Sequence, residues 1–436
     1  MQAVSVGEPL PLVETGAPSR RSLLALSWLN FFLAGMQSAF GPIAAAYLAA
    51  QHWTAKDIGF VLSIGGIASL LSQVPGGELL DAVRTKRLLI AIGVITIALS
   101  TLIFRLWPSF VPVTVAQVLQ GITGGVIGPG VVAITLGLVG HATLAERLGQ
   151  NQRFAAAGGV AVTLTMALVA YADSPWAMFV PVALAVPVLI ALAQIRGEEI
   201  DFGRASGAEQ AADHPQRTAR DAALFRNRPL LIFALCGVLF QLANASMLPL
   251  ISGMLAAEGK RQAATLVAAL IIVPQAIVAL LAPWVGQRAQ ISGRKPLLVV
   301  GFAALPVRAA LFALINDPFA LVVIQVLDGI TGAVLGVMTA LIIADVTKGT
   351  GRFNLAQGIL GTLMGVGASL SPALSGLIVH QFGYAAGFAS LAAEGLLAVL
   401  VVAAFLPETK EELPNTSVPA EGSRADMSLQ RMRPSD

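Results

Sequence analysis

Polar and apolar residues alternate along this chain in long blocks, not at a short period. Twelve apolar runs stand out, at 23–48, 57–80, 88–106, 110–138, 154–172, 176–195, 230–252, 264–286, 297–315, 319–344, 355–380 and 385–406. A helix needs about 20 such residues to cross the hydrocarbon of a bilayer. Only helices and closed barrels satisfy every backbone polar group in lipid, and these runs are far longer than barrel strands. The pattern predicts an all-α membrane protein with 12 transmembrane helices. One polar stretch, 197–228, divides the runs six and six. The predicted organisation is a cytoplasmic tail (1–19), a six-helix bundle (20–196), a cytoplasmic linker (197–228), a second six-helix bundle (229–407) and a cytoplasmic tail (408–436). Tails and linker have the polar composition of chain that builds no packed core.

Composition sharpens this. Of 436 residues, 56% are hydrophobic and only 12% charged, against about 25% charged in soluble domains. Mean hydropathy is +0.79. The net charge of +3 does not point to nucleic acid, because the basic residues sit in short segments between apolar runs. With the N-terminus inside, cytoplasmic segments hold 22 of the 27 Lys and Arg residues, and outer loops hold four: Lys56, Arg105, Lys260 and Arg261. That asymmetry predicts both termini in the cytoplasm, in the inner membrane. Ser19-Arg20-Arg21 precedes the first run, but the run is too long for a signal peptide and reads as an uncleaved helix. Cys236 is the only cysteine, and His52, His141, His214 and His380 lie far apart, so no metal site or cofactor is expected.

The two halves repeat each other. Gln117–Gly128 reads QVLQGITGGVIG and Gln325–Gly336 reads QVLDGITGAVLG, with nine of 12 positions identical at an offset of 208. GELLDAVRTKRLL from Gly77 matches GQRAQISGRKPLL from Gly286 at an offset of 209, and QSAFGP from Gln37 matches NASMLP from Asn244 at 207. Six helices per half give both repeats the same orientation, related by a pseudo-two-fold axis along the membrane normal.

Two such halves, a long central loop and a Gly-x-x-x-Asp-x-x-x-x-Lys/Arg-Arg motif after the second run resemble the major facilitator superfamily over about residues 20–407. Gly77, Asp81, Arg84, Lys86 and Arg87 carry the first copy of the motif. Gly286, Gly293, Arg294 and Lys295 carry the second, in which Gln290 replaces the acid. The resemblance implies secondary transport by alternating access, and a cytoplasmic latch built on these residues. Asp81 would pair with the loop bases or sit at another helix's positive N-terminus, with Glu78 nearby. Arg147 and Arg352, in the segments before runs five and eleven, are further gate or anchor candidates. The chain also departs from the family. Gln117 stands where the fourth helix often carries Arg, and run five lacks the Gly-Pro signature of antiporters.

Three ionisable residues lie inside apolar runs. Asp328 is about 13 Å and Arg308 about 11 Å from the outer ends of their runs, at 1.5 Å per residue. A carboxylate at such depth costs about 2.5–3.5 kcal/mol, so it faces a partner or a cavity. Asp328 and Arg308 are each other's natural partners, as a structural pair or as a gate that breaks on protonation. Glu394 in run twelve is a second proton-coupling candidate. Neutral amides mark a substrate cavity: Gln37, Gln117, Gln120, Gln241, Asn244 and Gln325, with Gln73 and Gln275 as weaker members. An amide supplies donors and acceptors without charge, which suits a neutral or weakly charged solute. The alternative use of each amide is an interhelical hydrogen bond.

The expected function is secondary active transport of a small solute, coupled to protons, by a monomer in the lipid bilayer. Uptake and efflux both fit. The chain has no phosphate-cradling loop for ATP. An integral-membrane enzyme would need a nucleophile–base pair or a metal motif, and a non-transporting sensor would add a signalling domain; neither is evident in the sequence.

Overall fold

The computed structural model describes residues 18–171, 179–208, 227–257 and 263–409. The outer tails, most of the linker (209–226), Lys260, Arg261 and His214 lie outside the described residues.

Twelve membrane helices follow in chain order. In the first half they are α1 (Arg20–Ala50), α2 (Ala55–Ala82), α3 (Lys86–Leu106), α4 (110–139), α5 (141–171) and α6 (Phe179–Gln194). The second half holds α7 (Arg228–Asn244 and Met247–Ala257), α8 (Ala263–Ser292), α9 (Lys295–Leu314), α10 (Pro318–Ile324 and Val326–Thr347), α11 (Phe353–Phe382) and α12 (Tyr384–Phe405). The described residues are almost wholly helical, in keeping with the apolar runs.

Several helices outrun the apolar blocks. The segment 139–153, expected as a loop, is helical except at Gly140, whose φ of 65° separates α4 from α5. Arg147 therefore lies on a helix, not in a loop. The motif residues Gly77 and Asp81 sit in the last turns of α2, and Gly286 sits within α8. Polar residues continue a helix past the membrane because water satisfies the side chains while the backbone bonds remain intact. The true connection between α2 and α3 is only Val83–Thr85.

Two helices depart locally from regular hydrogen bonding. α7 does so at Ala245–Ser246 and α10 at Gln325, with right-handed helical backbone at Ala245 and Gln325. Ser246 Oγ meets Ser371 Oγ of α11 at 2.6 Å. The Gln325 amide turns away from its own helix and donates to the Leu270 carbonyl of α8 at 2.8 Å.

Each half has its own buried core. Leu26, Leu29, Ile90, Ile134 and Val188 centre the first. Phe240, Phe302, Phe312, Met338 and Phe388 centre the second, which also takes in Leu144, Ala145 and Leu148 of α5. The halves are thus packed together where α5 crosses α8.

The start of the linker straps this face. Asp201 donates its backbone N–H to the Gly137 carbonyl at 3.0 Å and caps the short helix Phe202–Ser206. The Ser19 N–H and hydroxyl both donate to Glu199 at 3.0 Å. Partial desolvation raises the Glu199 pKa, but hydrogen bonds from Ser22 and Ser19 and the charge of Arg196 outweigh it and hold the carboxyl below its usual range.

Candidate functional site

Four close backbone contacts at two helix crossings close the halves against each other at the end that carries the loop motif. A Cβ on Gly77 (α2) would overlap the Asn354 carbonyl of α11, and one on Gly358 (α11) would overlap the Gln73 carbonyl of α2. On the other side of the axis, Gly286 (α8) meets the Ala145 carbonyl of α5, and Gly149 (α5) meets the Ala282 carbonyl of α8. Every residue of one pair lies 209 positions from its counterpart: 77 and 286, 145 and 354, 149 and 358, 73 and 282. The pseudo-two-fold inferred from the repeat is therefore obeyed at the level of single contacts. Small residues allow this approach without a hydrophobic drive between helices.

Asp81 seals the first crossing. Its carboxylate accepts the Asn354 N–H at 3.2 Å, the Leu355 N–H at 2.9 Å and the Asn354 side-chain amide at 2.8 Å. Of the two placements open to it, the structure shows the positive N-terminus of α11, where orphan N–H groups and the helix dipole favour an anion. Asn354 also donates to the Ala205 carbonyl of the linker at 3.1 Å. Arg352 stands just before, at the N-cap of α11.

The loop bases are used elsewhere. Lys86 is buried and donates to the Leu80 and Val83 carbonyls. Arg87 donates to the Leu192 and Ala193 carbonyls of α6 at 3.3 Å each. Arg84 lies over the Phe202 ring, 5.7 Å from its centroid. Arg147 anchors α5 to α1 through the Leu23 carbonyl at 2.8 Å and Ser27 at 2.7 Å.

At the second crossing, Gln290 donates to the Ala142 carbonyl at 3.0 Å. It is a neutral tie with the opposite polarity to that of Asp81. The charged contacts of this motif copy stay within the second half. Arg294 pairs with Asp345 of α10 at 2.9 Å, while Glu408 accepts the Arg294 and Lys295 N–H groups at 2.8 and 3.1 Å. Gly293, at φ 86°, turns the chain there beside Glu408.

Away from this closed face lies a cavity of about 490 Å³, lined by Met36, Gln37, Gln117, Gln120 and small residues of α2 and α4. A second space of about 300 Å³ between the halves includes Gln73, Thr339 and Gln357. The two share Gly124 and Gly128. Along α4 the second space lies nearer the Asp81 end. Three of the six amide candidates thus line the main cavity. The other three do not: Asn244 binds Arg308, Gln325 binds Leu270, and Gln241 contributes its carbonyl to the Ala245 N–H. Gln275 is exposed.

Arg308 reaches from α9 between α7 and α10. Its guanidinium pairs with Asp328 of α10 and donates to the side-chain amide oxygen of Asn244 in α7. Met247 Sδ accepts from its Nε at 3.0 Å and its Nη2 at 2.9 Å. The Arg308 side chain is 3% exposed and that of Asp328 31%. The cation is thus enclosed, while the carboxylate keeps access to open space. Glu394 does not join the cluster in any described hydrogen bond or ion pair. Its buried Oε2 has no hydrogen-bond partner among the described residues.

The model of the Major Facilitator Superfamily matches residues 26–305 and 233–432. An uncharacterized MFS-type transporter of Mycobacterium tuberculosis is 36% identical over 388 residues, covering 88% of this chain and 93% of that protein. The chain belongs to the Major Facilitator Superfamily. It is a multi-pass membrane transporter built as two six-helix bundles. A Streptomyces glaucescens tetracenomycin C resistance and export protein is 31% identical over 120 residues, 28% of this chain and 22% of that protein. Among solved structures, the human organic anion transporter MFSD10 superposes with a TM-score of 0.68 at 14% identity, over 88% of this chain and 99% of that one. The proton:xylose symporter XylE gives 0.67 at 14% identity, over 89% and 97%. Likeness at that identity concerns the fold.

Met247, Asn354, Phe202, Asp345 and Glu408 all contact motif or ion-pair residues, yet none was singled out from the sequence. Asp345 alone carried a signal, as an acid in the last turn of an apolar run. The others are ordinary residues whose role exists only across helix contacts.

Proposed function

We propose that this superfamily member moves a small neutral or weakly charged solute across the cytoplasmic membrane, coupled to protons through Asp328. The observation that carries the reading is the asymmetric pair: an enclosed Arg308 held by a carboxylate that keeps access to open space. The Arg308 partners Asn244 and Met247 flank the irregular turn of α7, and Asp328 lies one turn after that of α10. Protonating Asp328 removes the negative partner of Arg308. The guanidinium then keeps only Asn244 and Met247, which weakens the tie between α9 and α10. The closed Asp81 face and the cavity beyond it correspond to the outward-facing member of an alternating-access cycle.

The solute class follows from the lining. Gln37, Gln117 and Gln120 offer hydrogen bonds without charge, among glycines and apolar residues. The proton-coupled neighbours by name, XylE and the fucose:proton symporter FucP, agree with coupling. The export relative agrees with the opposite direction of solute flow. The protein acts as a monomer with both termini in the cytoplasm.

The test begins with a thermal-shift screen of purified protein against diverse solutes. A binder at 100 times its dissociation constant stabilises by about 2.7 kcal/mol. Its hit is then assayed in proteoliposomes with a pH-sensitive dye inside. Solute-driven proton movement is expected in the native protein and none in Asp328→Asn, with solute binding retained. The sign of proton movement relative to the solute gives the direction. Transport that depends on Na⁺ and ignores pH would overturn the coupling.

A further inference from the structure

A pocket of about 450 Å³ opens between α3 and α6 at the end that the charge pattern assigns to the cytoplasm. Arg84, Lys86 and Arg87 form its rim, and Leu88, Ala91 and Leu189 its wall. Among the described residues, no Asp or Glu lines it. Arg87 donates to uncharged backbone carbonyls of α6, whereas Lys86 is buried, donates to the Leu80 and Val83 carbonyls and interacts electrostatically with the Asp81 carboxylate. Arg84 is exposed and its described contact is the Phe202 ring, so its guanidinium can take an anion. The first turn of α3 lines the same pocket, and its N-cap Thr85 makes no side-chain capping bond, which adds to the positive potential.

The wall continues toward the membrane interior. Leu88, Ile92, Ile95 and Leu99 of α3 are 58, 52, 45 and 54% exposed and repeat at the spacing of one helix face. Val186 and Ile190 of α6 are similarly open, at 59 and 53%. The pocket therefore joins two accessible cations, Arg84 and Arg87, to an exposed apolar face of α3 and α6. A free phosphate would use the cations and leave the apolar face uncovered. An acidic peptide would not follow that face into hydrocarbon.

We propose that this pocket holds an anionic phospholipid of the cytoplasmic leaflet. Its phosphate sits against Arg84, with Arg87 behind, and an acyl chain lies along Leu88 and Ile92. A basic pocket between membrane helices on the cytoplasmic side is the arrangement expected to recognise such headgroups. The assignment is independent of the transported solute and of proton coupling.

Native mass spectrometry of the full chain, titrated with phosphatidylglycerol and phosphatidylcholine, tests it. We expect about a 25-fold preference for phosphatidylglycerol, since Arg84 and Arg87 each contribute roughly fivefold. Arg84→Glu removes the exposed cation. Ala193→Trp fills the pocket from an exposed α6 position that lines it. Each variant is expected to bring the two lipids to near-equal affinity, with unchanged monodispersity as the check on folding. Equal binding of both lipids to the native protein would overturn the proposal. So would a preference that survives in two well-folded variants. Displacement of bound lipid by millimolar inorganic phosphate would reassign the pocket to a free anion.

Discussion

At the cytoplasmic end the first half presents Asp81, and the second presents Gln290 at the position 209 residues on. Deeper in the bundle the arrangement reverses: Gln120 of the first half lines the cavity, and its repeat equivalent 208 residues on, Asp328, is a carboxylate paired with Arg308. The backbone contacts around the latch obey the two-fold closely, as the pairing of Gly77 with Asn354 and Gly286 with Ala145 shows. The chemistry does not. One half supplies a charged latch and neutral amides at the cavity; the other supplies a neutral latch and a charged pair within its own helices. Repeat symmetry thus fixes where helices meet, while single side chains decide which meeting responds to a proton. A symmetric pair of Asp81-type latches would hold the closed state twice over, whereas here one charged tie has to break.

The largest expected effect comes from the charged pair. Asp328→Ala leaves Arg308 enclosed without its carboxylate, and breaking such a pair typically costs about 3–5 kcal/mol. Denaturant unfolding in detergent micelles should show that loss, together with loss of proton-coupled flux. Arg308→Met combined with Asp328→Leu removes both charges and should regain most of the stability. It should regain none of the proton coupling. If the double variant still moves protons with solute, the pair is structural and the asymmetry between the halves has no part in coupling.

Next comes the charged latch. Asp81→Ala removes three hydrogen bonds to a carboxylate at the start of α11. Such bonds are worth about 1.5–3 kcal/mol each, part of which water restores in the open form. Spin labels at Ala82→Cys and Gln287→Cys, exposed positions on opposite halves, should report a shift toward longer distances across the closed face. The native Cys236 is buried and should stay unlabelled. Gln290→Ala, by contrast, loses one neutral hydrogen bond, about 1 kcal/mol, and should shift the same distances less. Equal shifts from the two substitutions would remove the distinction between the latches.

The sequence displayed this asymmetry because charge is rare in an apolar run. Asp81, Asp328, Arg308 and the replacement of an acid by Gln290 were all visible as exceptions to a strong pattern. The helix count and the two-fold were legible for the same reason, since block hydropathy and a near-constant offset are global signals. Contact partners were not. Met247 looks like any apolar residue until Arg308 lies against its sulfur, and Asn354 becomes a latch residue only when α2 crosses α11. Two of the six amides proposed for the cavity, Asn244 and Gln325, instead tie helices together, because an amide serves either purpose with the same composition. The irregularity at Ala245–Ser246 lies one turn before Pro249, which has no N–H to give the Ala245 carbonyl; the one at Gln325 coincides with its side-chain bond to Leu270 of α8.

The smallest effect is also the sharpest probe of why the second latch is neutral. By the 209-residue offset, Asn354 and Leu355 correspond to Ala145 and Glu146. An acid at 290 would therefore approach the start of α5 where a carboxylate already stands. Gln290→Asp alone should weaken the closed face, since it gives up the bond to the Ala142 carbonyl and adds repulsion from Glu146. Combined with Glu146→Leu, the same substitution places an acid at a helix N-terminus free of that repulsion. The interaction there is worth about 0.3–1 kcal/mol, so the spin-label distances should move back toward the closed form. Recovery only in the combined variant would show that Glu146 is what keeps the second latch neutral. Recovery in Gln290→Asp alone would show that the α5 terminus accepts an acid regardless, and that the asymmetry rests on the choice at position 290 itself.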